Sequence, residues 1–258
     1  MKISAILSAL ALVGALQLTA AAQFPTASFF VDPALPGTTQ YDLWDNFGFG
    51  VNQGYPGFPG SGTWPAPIGS NGAGSGDATV LKLANGAGGG PYPASASLYY
   101  GGFSSGLNIN GGRLGAQDAT PVANLKNVVF QLDIGESSGY DFFNDAQPTL
   151  NYNGGSQSLA AAGSFLLNAF DNGTVSTPDG VVPVFINTYL FQWDLSSVVD
   201  SISSFSIEFN GVQHGQVYGM QLDQSDTFAA YGVPEPASLA MAALSGVAML
   251  AVRRRRAS

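Results

Sequence analysis

Paired aspartates are the residues of this chain whose type and spacing are best suited to chemistry. Three pairs lie close together in sequence: Asp42 with Asp45, Asp141 with Asp145, and Asp223 with Asp226. Calcium takes six to eight oxygen ligands, which carboxylates, amide side chains and loop carbonyls supply together. If the first and last strands of the fold meet, Asp45 and Asp223 can converge and are the candidate ligands for a structural Ca²⁺, although no EF-hand or repeated calcium loop is present. The alternative is that the aspartates cap turns and face solvent.

Residues suited to catalysis are few. His214 is the only histidine and cysteine is absent, and no G-x-S-x-G nucleophile elbow is present, so we expect His214 to be a surface or hydrogen-bonded residue. A glycosidase needs two carboxylates across a cleft, and Glu136 and Glu208 are the only glutamates of the body. Glu208 lies opposite the apolar side of its predicted strand, where a concave sheet would place it in a groove. We expect no enzymatic activity, and a polysaccharide hydrolase is the least favoured alternative.

Aromatic side chains suggest a second kind of site. Flat rings on a protein surface can stack on the apolar faces of sugars, but rings also fill cores and cover glycine-rich loops. The candidates are Tyr41, Trp44, Tyr55, Trp64, Tyr92, Tyr99 and Tyr100. The sequence does not assign any one of them to carbohydrate binding.

Short strands joined by turns must position these residues. Apolar and polar residues alternate in NVVFQLDI, SSFSIEF and VYGMQLDQ, as in half-buried strands. We predict the alternating core sets Phe130, Leu132, Ile134; Phe205, Ile207, Phe209; and Tyr218, Met220, Leu222. Other predicted strands are Ser28 to Val31, Trp44 to Phe49, TVLKLA, SASLYYGG, GSFLLNAF and VVPVFINTYLFQWDL, with turn signals at Asp171-Asn172-Gly173 and Pro178-Asp179-Gly180. This pattern predicts an all-β, antiparallel two-sheet sandwich of jelly-roll type, formed as one domain by residues 23–232.

The charge of the body excludes one large class of partner. Between residues 23 and 232 there are 16 acidic residues against three basic ones, a net charge of −13. A domain so poor in cations cannot neutralise phosphates, so we expect no nucleic-acid binding. Its charged partners should be cations.

Both ends of the chain carry targeting patterns. Residues 1–22 combine Lys2, an apolar stretch and small residues before the expected cleavage after Ala22, which is typical of a secretory signal peptide. Residues 237–252 form an uncharged run slightly shorter than the roughly 20 residues that span a bilayer comfortably. The cluster Arg253, Arg254, Arg255 and Arg256 follows, and clustered cations stay cytoplasmic, so the body is expected outside.

The last 26 residues resemble a known sorting signal. Pro234, Glu235 and Pro236, followed by an apolar transmembrane helix over 237–252 and terminal arginines, are similar to the PEP-CTERM signal of Gram-negative bacteria that produce exopolysaccharide. The resemblance implies recognition of 233–258 by a membrane-embedded exosortase, brief residence in the inner membrane, removal of the tail, and delivery to the cell surface or extracellular matrix. It implies nothing about the body.

Together these patterns predict an exported, non-enzymatic surface or matrix protein with a structural or adhesive role among exopolysaccharide. Signal peptidase and an exosortase are its expected processing partners. The alternative is a carbohydrate-binding module, which a calcium ion could support.

Overall fold

Thirteen β-strands are present in the computed structural model, which describes residues 29–102, 106–177 and 180–232. They are β1 (Thr39–Trp44), β2 (Ile68–Gly69), β3 (Thr79–Ala84), β4 (Tyr92–Pro93), β5 (Leu98–Tyr99), β6 (Asn110–Asp118), β7 (Asn127–Ser137), β8 (Thr149–Tyr152), β9 (Leu159–Ala160), β10 (Gly163–Thr177), β11 (Gly180–Asp194), β12 (Phe205–Val212) and β13 (Gln216–Ser225). These ranges contain no helix, and thus no helical segment that could span a membrane.

The strands form two antiparallel sheets. Sheet A has the order β10-β11-β7-β13-β5-β4, with β1 also pairing with β13, and sheet B has the order β2-β3-β6-β12-β8-β9. The prediction of an all-β fold with two antiparallel sheets is therefore confirmed. The predicted signal peptide at 1–22, the sorting motif at 234–236, the apolar run at 237–252 and the arginines at 253–256 lie outside the described residues.

The core lies between the sheets. Phe130 of β7 meets Phe209 of β12 with ring centroids 5.9 Å apart, which joins sheet A to sheet B. The alternation in SSFSIEF is confirmed, because Phe205, Ile207 and Phe209 are all buried in this core. In β13 the prediction is wrong at one residue. A register shift between Val217 and Gly219 places Val217, opposite Ile134, in the core in place of Tyr218.

The central strand β7 differs from the half-buried strand that its alternation predicts. Phe130, Leu132 and Ile134 are in the core as expected, but Gln131 and Asp133 on the opposite face are buried as well. The alternation of polar residues predicted that this face of β7 is in contact with solvent, but other parts of the chain cover it.

Two segments that flank the strands cover the outer face of sheet A, which is the face turned away from sheet B. The leading segment, residues 29–36, contacts β7 through Val31 and Gln131, and its Phe29 ring lies 5.7 Å from that of Phe170 in β10. The trailing segment, residues 226–232, contacts Gln192 of β11, and its Tyr231 ring lies 5.4 Å from that of Phe165 in β10. Both segments therefore reach the same edge strand.

The long hairpin β10–β11 corrects another prediction. Asp171-Asn172-Gly173 is not a turn between strands but an irregularity inside β10, where the register shifts between Asp171 and Thr174. Gly173 has φ +82°, which glycine adopts without strain and which such bulges require. The paired part of the hairpin instead extends to Thr177, which pairs with Gly180, and residues 178–179 lie outside the described residues.

Several other boundaries also depart from prediction. TVLKLA coincides with β3, but residues 29–31 are not in a strand and the first strand ends at Trp44 where one was predicted to begin. SASLYYGG contributes only the two-residue β5. Strand β6 (NGGRLGAQD) was not predicted because its glycines weaken the strand signal. Glycine is needed there, since a Cβ on Gly111 would lie 2.7 Å from the carbonyl carbon of Val212.

Candidate functional site

A cleft of about 480 Å³ lies where the leading segment passes over strands β1 and β13. These strands pair antiparallel with Tyr41 opposite Asp223, and both residues line the cleft together with Phe30, Asp32 and Gln221. We call this the Asp223 cleft. Its floor is the outer face of sheet A, and its wall is the chain from residue 30 to residue 35.

A buried glutamine fixes the wall of the cleft. The Val31 N–H donates to Gln131 Oε1 at 3.0 Å, and Gln131 Nε2 donates to the Val31 carbonyl at 2.8 Å. The Gln131 side chain thus satisfies both backbone groups of Val31, as a neighbouring strand would. Phe30 packs over Gly219, where an added Cβ would lie 3.2 Å from the ring. The wall is held by specific contacts on both sides of Val31.

Asp223 is the most perturbed carboxyl group of the cleft. Its side chain is only 8% exposed, and Gln221 Nε2 donates to its Oδ2 at 2.9 Å. Burial raises the pKa of Asp223 to about 7, against the opposing effect of hydrogen bonds from Gln221 and Gln131, and the nearby charges of Asp32 and Asp42 raise it further. This carboxyl therefore changes charge near neutral pH and gains from any additional hydrogen-bond donor or positive charge.

The predicted calcium ligands share a pair of strands but not a site. β1 and β13 do meet, yet Tyr41 and not Asp45 is opposite Asp223. Asp45 follows four positions later and is exposed, which separates the two carboxylates by roughly 13 Å along the strand. In the described part of the chain, no group of three or more acidic or histidine residues is arranged to hold a metal ion. Calcium binding stays a prediction.

Several of the other aspartates organise the backbone, as the alternative interpretation proposed. Asp141 accepts hydrogen bonds from the N–H groups of Phe143 at 3.1 Å and Asp145 at 2.6 Å. Asp226 accepts from the Thr38 N–H at 3.0 Å. Asp42 is fully buried and accepts from the Ala78 N–H at 3.0 Å, and burial is the main cause that raises its pKa. Asp141 and Asp226 therefore order turns as the alternative proposed, whereas Asp42 is buried and does not face solvent.

The two glutamates lie on different sheets and do not form a carboxylate pair across a cleft. Glu136 follows the core face of β7, accepts from the Tyr189 hydroxyl at 3.1 Å and the Phe142 N–H at 3.2 Å, and has its pKa raised mainly by burial. Glu208 is on the outer face of sheet B, 3.7 Å from Arg113. Strand alternation directs the two side chains away from each other.

His214 is hydrogen-bonded, which is one of the two environments that the sequence predicted for it. It lies in the turn between β12 and β13 with φ +69°, and its Nδ1 is 3.1 Å from the Tyr99 hydroxyl. The neighbouring Gln213 side chain is buried and makes no hydrogen bond within the described residues. Sequence reasoning did not identify this polar cluster, because only the fold brings Tyr99 beside the turn.

The candidate aromatic residues separate into two groups. Trp44 and Tyr100 are fully buried in the core, and Tyr55 and Trp64 pack against each other at 5.5 Å. Tyr41 is 37% exposed and lines the Asp223 cleft. Tyr41 is therefore the one named aromatic that combines exposure with a cleft that also contains carboxylates.

Comparison with protein-family models gave no match to this chain, and comparisons with curated proteins and with solved structures gave none either. The functional argument therefore rests on the chain's own residues and geometry.

Proposed function

We propose that this chain is an exported protein of the bacterial cell surface or extracellular matrix, with a structural or adhesive role among exopolysaccharide and no enzymatic activity. The sequence supports the route. Residues 1–22 match a secretory signal peptide, and residues 233–258 resemble a PEP-CTERM sorting signal. In this proposal signal peptidase cleaves after Ala22, and an exosortase recognises Pro234, Glu235 and Pro236. The cluster at 253–256 stays cytoplasmic while the protein is briefly held in the inner membrane.

The observation that carries the proposal is the position of the two ends of the body. Phe29 contacts Phe170 and Tyr231 contacts Phe165, so both flanking segments leave the fold beside β10. A body attached to a membrane through either end would be held by this one side. The outer face of sheet B would then be free to face the matrix.

Four of the ten large apolar residues that are exposed among the described residues lie in the β10–β11 hairpin. In the β10–β11 hairpin, Leu166 is 56% exposed, Val175 is 41% exposed and Val181 is 70% exposed. Exposed apolar residues in one region mark a surface that interacts with a protein or a membrane. Leu166 follows Phe165, which contacts Tyr231 of the trailing segment, and this supports a membrane-proximal orientation for the hairpin during transit.

We also propose that the sandwich is a jelly roll. The first strand, β1, pairs with the last, β13, and successive stretches of chain alternate between the sheets, which is the pattern that supports this topology. In this proposal β6 is an additional strand inserted between β3 and β12 of sheet B.

Mass spectrometry of the protein recovered from the surface and medium of the producing cells tests the route. We expect a product that begins at Gln23 and lacks residues 237–252, whereas the variant Glu235→Ala keeps its tail in the membrane fraction. Asp200→Ala, which removes an exposed carboxylate of the body, is the matched control and should be processed normally. A full-length chain confined to the cytoplasm would contradict the proposal.

A second candidate function, carbohydrate binding, is favoured by the Asp223 cleft. A cleft of this volume is within the range of small-molecule sites, and its combination of an exposed tyrosine with carboxylates and amides suits a hydroxylated ligand.

A further inference from the structure

The charged residues that line the Asp223 cleft are all acidic. Of the twelve residues that line it, Asp32 and Asp223 carry carboxyl groups and none is a lysine, arginine or histidine. Both carboxyl groups interact, because the charge of Asp32 contributes to the raised pKa of Asp223. A positively charged group that enters the cleft therefore meets two carboxylates and no competing cation.

The three basic residues of the body are held elsewhere by protein groups. Their contacts are Lys82 Nζ to the Gly60 carbonyl at 2.7 Å, Arg113 to Glu208 at 3.7 Å, and Lys126 Nζ to the Val198 carbonyl at 2.9 Å. Within the described residues, therefore, no cation of the protein reaches the two carboxyl groups, and a ligand can bring the positive charge.

The form of the cleft favours an organic cation over a metal ion. Its volume of about 480 Å³ far exceeds that of a single ion, and two carboxylates alone cannot supply the six to eight oxygens that calcium takes. The cleft also has apolar surface on opposite sides, from Phe30 and Leu35 in the wall and from Tyr41 on the floor. The Tyr41 hydroxyl donates to the Ala73 carbonyl, which holds the ring in place.

We propose that the Asp223 cleft binds an amino-sugar residue that carries a free amine. In this proposal the ammonium group lies toward Asp32 and Asp223 and the sugar ring lies against Tyr41, and Thr39 and Gln221 are polar lining residues that can bind its hydroxyls. Charge-assisted hydrogen bonds to carboxylates, together with a cation near an aromatic ring, give selectivity for the free amine over its acetylated form. This inference names a ligand for the adhesive role proposed above.

Calorimetric titration of the full chain in a mild detergent tests the inference. The probes are a glucosamine oligomer, the matched N-acetylglucosamine oligomer, and calcium chloride alone. We expect the glucosamine oligomer to bind and the acetylated oligomer to bind at least about tenfold more weakly. Asp32→Asn should weaken glucosamine binding about tenfold, and since Asp32 is exposed this change does not threaten folding. Tyr41→Ala should weaken it about fivefold.

The control separates a built site from general attraction between a polycation and an acidic protein. Glu208→Gln removes one negative charge from the opposite sheet and should change binding less than about twofold. Equal binding of the two oligomers would overturn the inference, and so would equal losses in Asp32→Asn and Glu208→Gln. Calcium binding that Asp223→Asn abolishes would replace it with a metal site. None of these results depends on whether the chain is exported, so failure here and failure of the proposed route are distinguishable.

Discussion

The outer faces of the two sheets have similar sequence patterns but form different surfaces. In β7 the polar residues Gln131 and Asp133 alternate with core residues, and in β12 Ser206 and Glu208 do the same. The first pair is buried beneath the leading segment and its neighbours, whereas the second is partly exposed on an open face. Alternation therefore identifies which residues leave the core, but chain segments from distant positions decide whether those residues meet water.

The difference has a chemical consequence for ionisable groups. On the covered face, Asp223 is desolvated and its pKa rises to about 7. On the open face, Glu208 lies beside Arg113 and Asn151, and the side chains of Glu208 and Arg113 are both partly exposed to water. The covered face therefore contains a cleft and a carboxyl group with a shifted pKa, whereas the open face is a broad polar surface.

The largest change in the free energy of unfolding should come from replacing the carboxyl group of Asp223 on the covered face. Because its pKa is higher in the folded protein than in the unfolded chain, Asp223 lowers stability as pH rises from about 4 to about 7, and the loss is complete above that range. Asp223→Asn should therefore raise the free energy of unfolding at pH 8 by on the order of 3 kcal/mol and by almost nothing at pH 4. Urea denaturation across this pH range measures it, and a gain that does not depend on pH would contradict the argument.

A somewhat smaller effect is expected from matched glutamine substitutions on the two faces. Gln131→Leu leaves the Val31 N–H without its partner and leaves the Val31 carbonyl with only the longer contact from Gln221 Nε2 at 3.4 Å, so we expect a loss of about 2 kcal/mol in the free energy of unfolding. Gln117→Leu, on the outer face of sheet B, removes one hydrogen bond to Thr79 and should cost less than about 0.5 kcal/mol. Chemical denaturation of both variants makes the comparison, and similar losses would show that the two faces are energetically alike.

The smallest effect should come from the ion pair of the open face. Glu208→Gln removes the contact with Arg113, and partly exposed pairs contribute little because water and salt screen them. We expect a change below about 0.5 kcal/mol that declines further as salt is added, measured by thermal unfolding at two ionic strengths. A change comparable to that of Asp223→Asn would mean that this face is also desolvated, for example by a neighbouring molecule.

Local patterns were sufficient for part of the fold. TVLKLA became β3 and SSFSIEF placed Phe205, Ile207 and Phe209 in the core, because each strand's own alternation determined its inward face. The burial of Gln131 could not be predicted, since its covering residue Val31 lies 100 positions away. The register shift at Tyr218 and the bulge after Asp171 depend on pairing with partner strands, which one sequence does not reveal.

The candidate site was predicted in the same partial way. Asp223 was identified from its type and from the expected meeting of first and last strands, and β1 does pair with β13. Its assigned partner Asp45 is displaced along β1, because register depends on hydrogen-bonded pairing and not on the order of residues. The cleft itself arises from Phe30 and Asp32, in a stretch where a strand was predicted up to Val31 and none formed.

Because the two flanking segments end beside the same strand, the body is suitable for circular permutation, in which the old termini are joined and new ones are opened. Phe29 and Tyr231 contact β10 at positions only five residues apart, which places the two ends of the fold roughly 15 to 20 Å from each other. A linker of about eight residues would join them, and new termini could open at the exposed turn of Gly154 and Gly155 on sheet B. A circularly permuted body of this kind should keep both sheets intact, and it would present a fused passenger at the turn that follows β8.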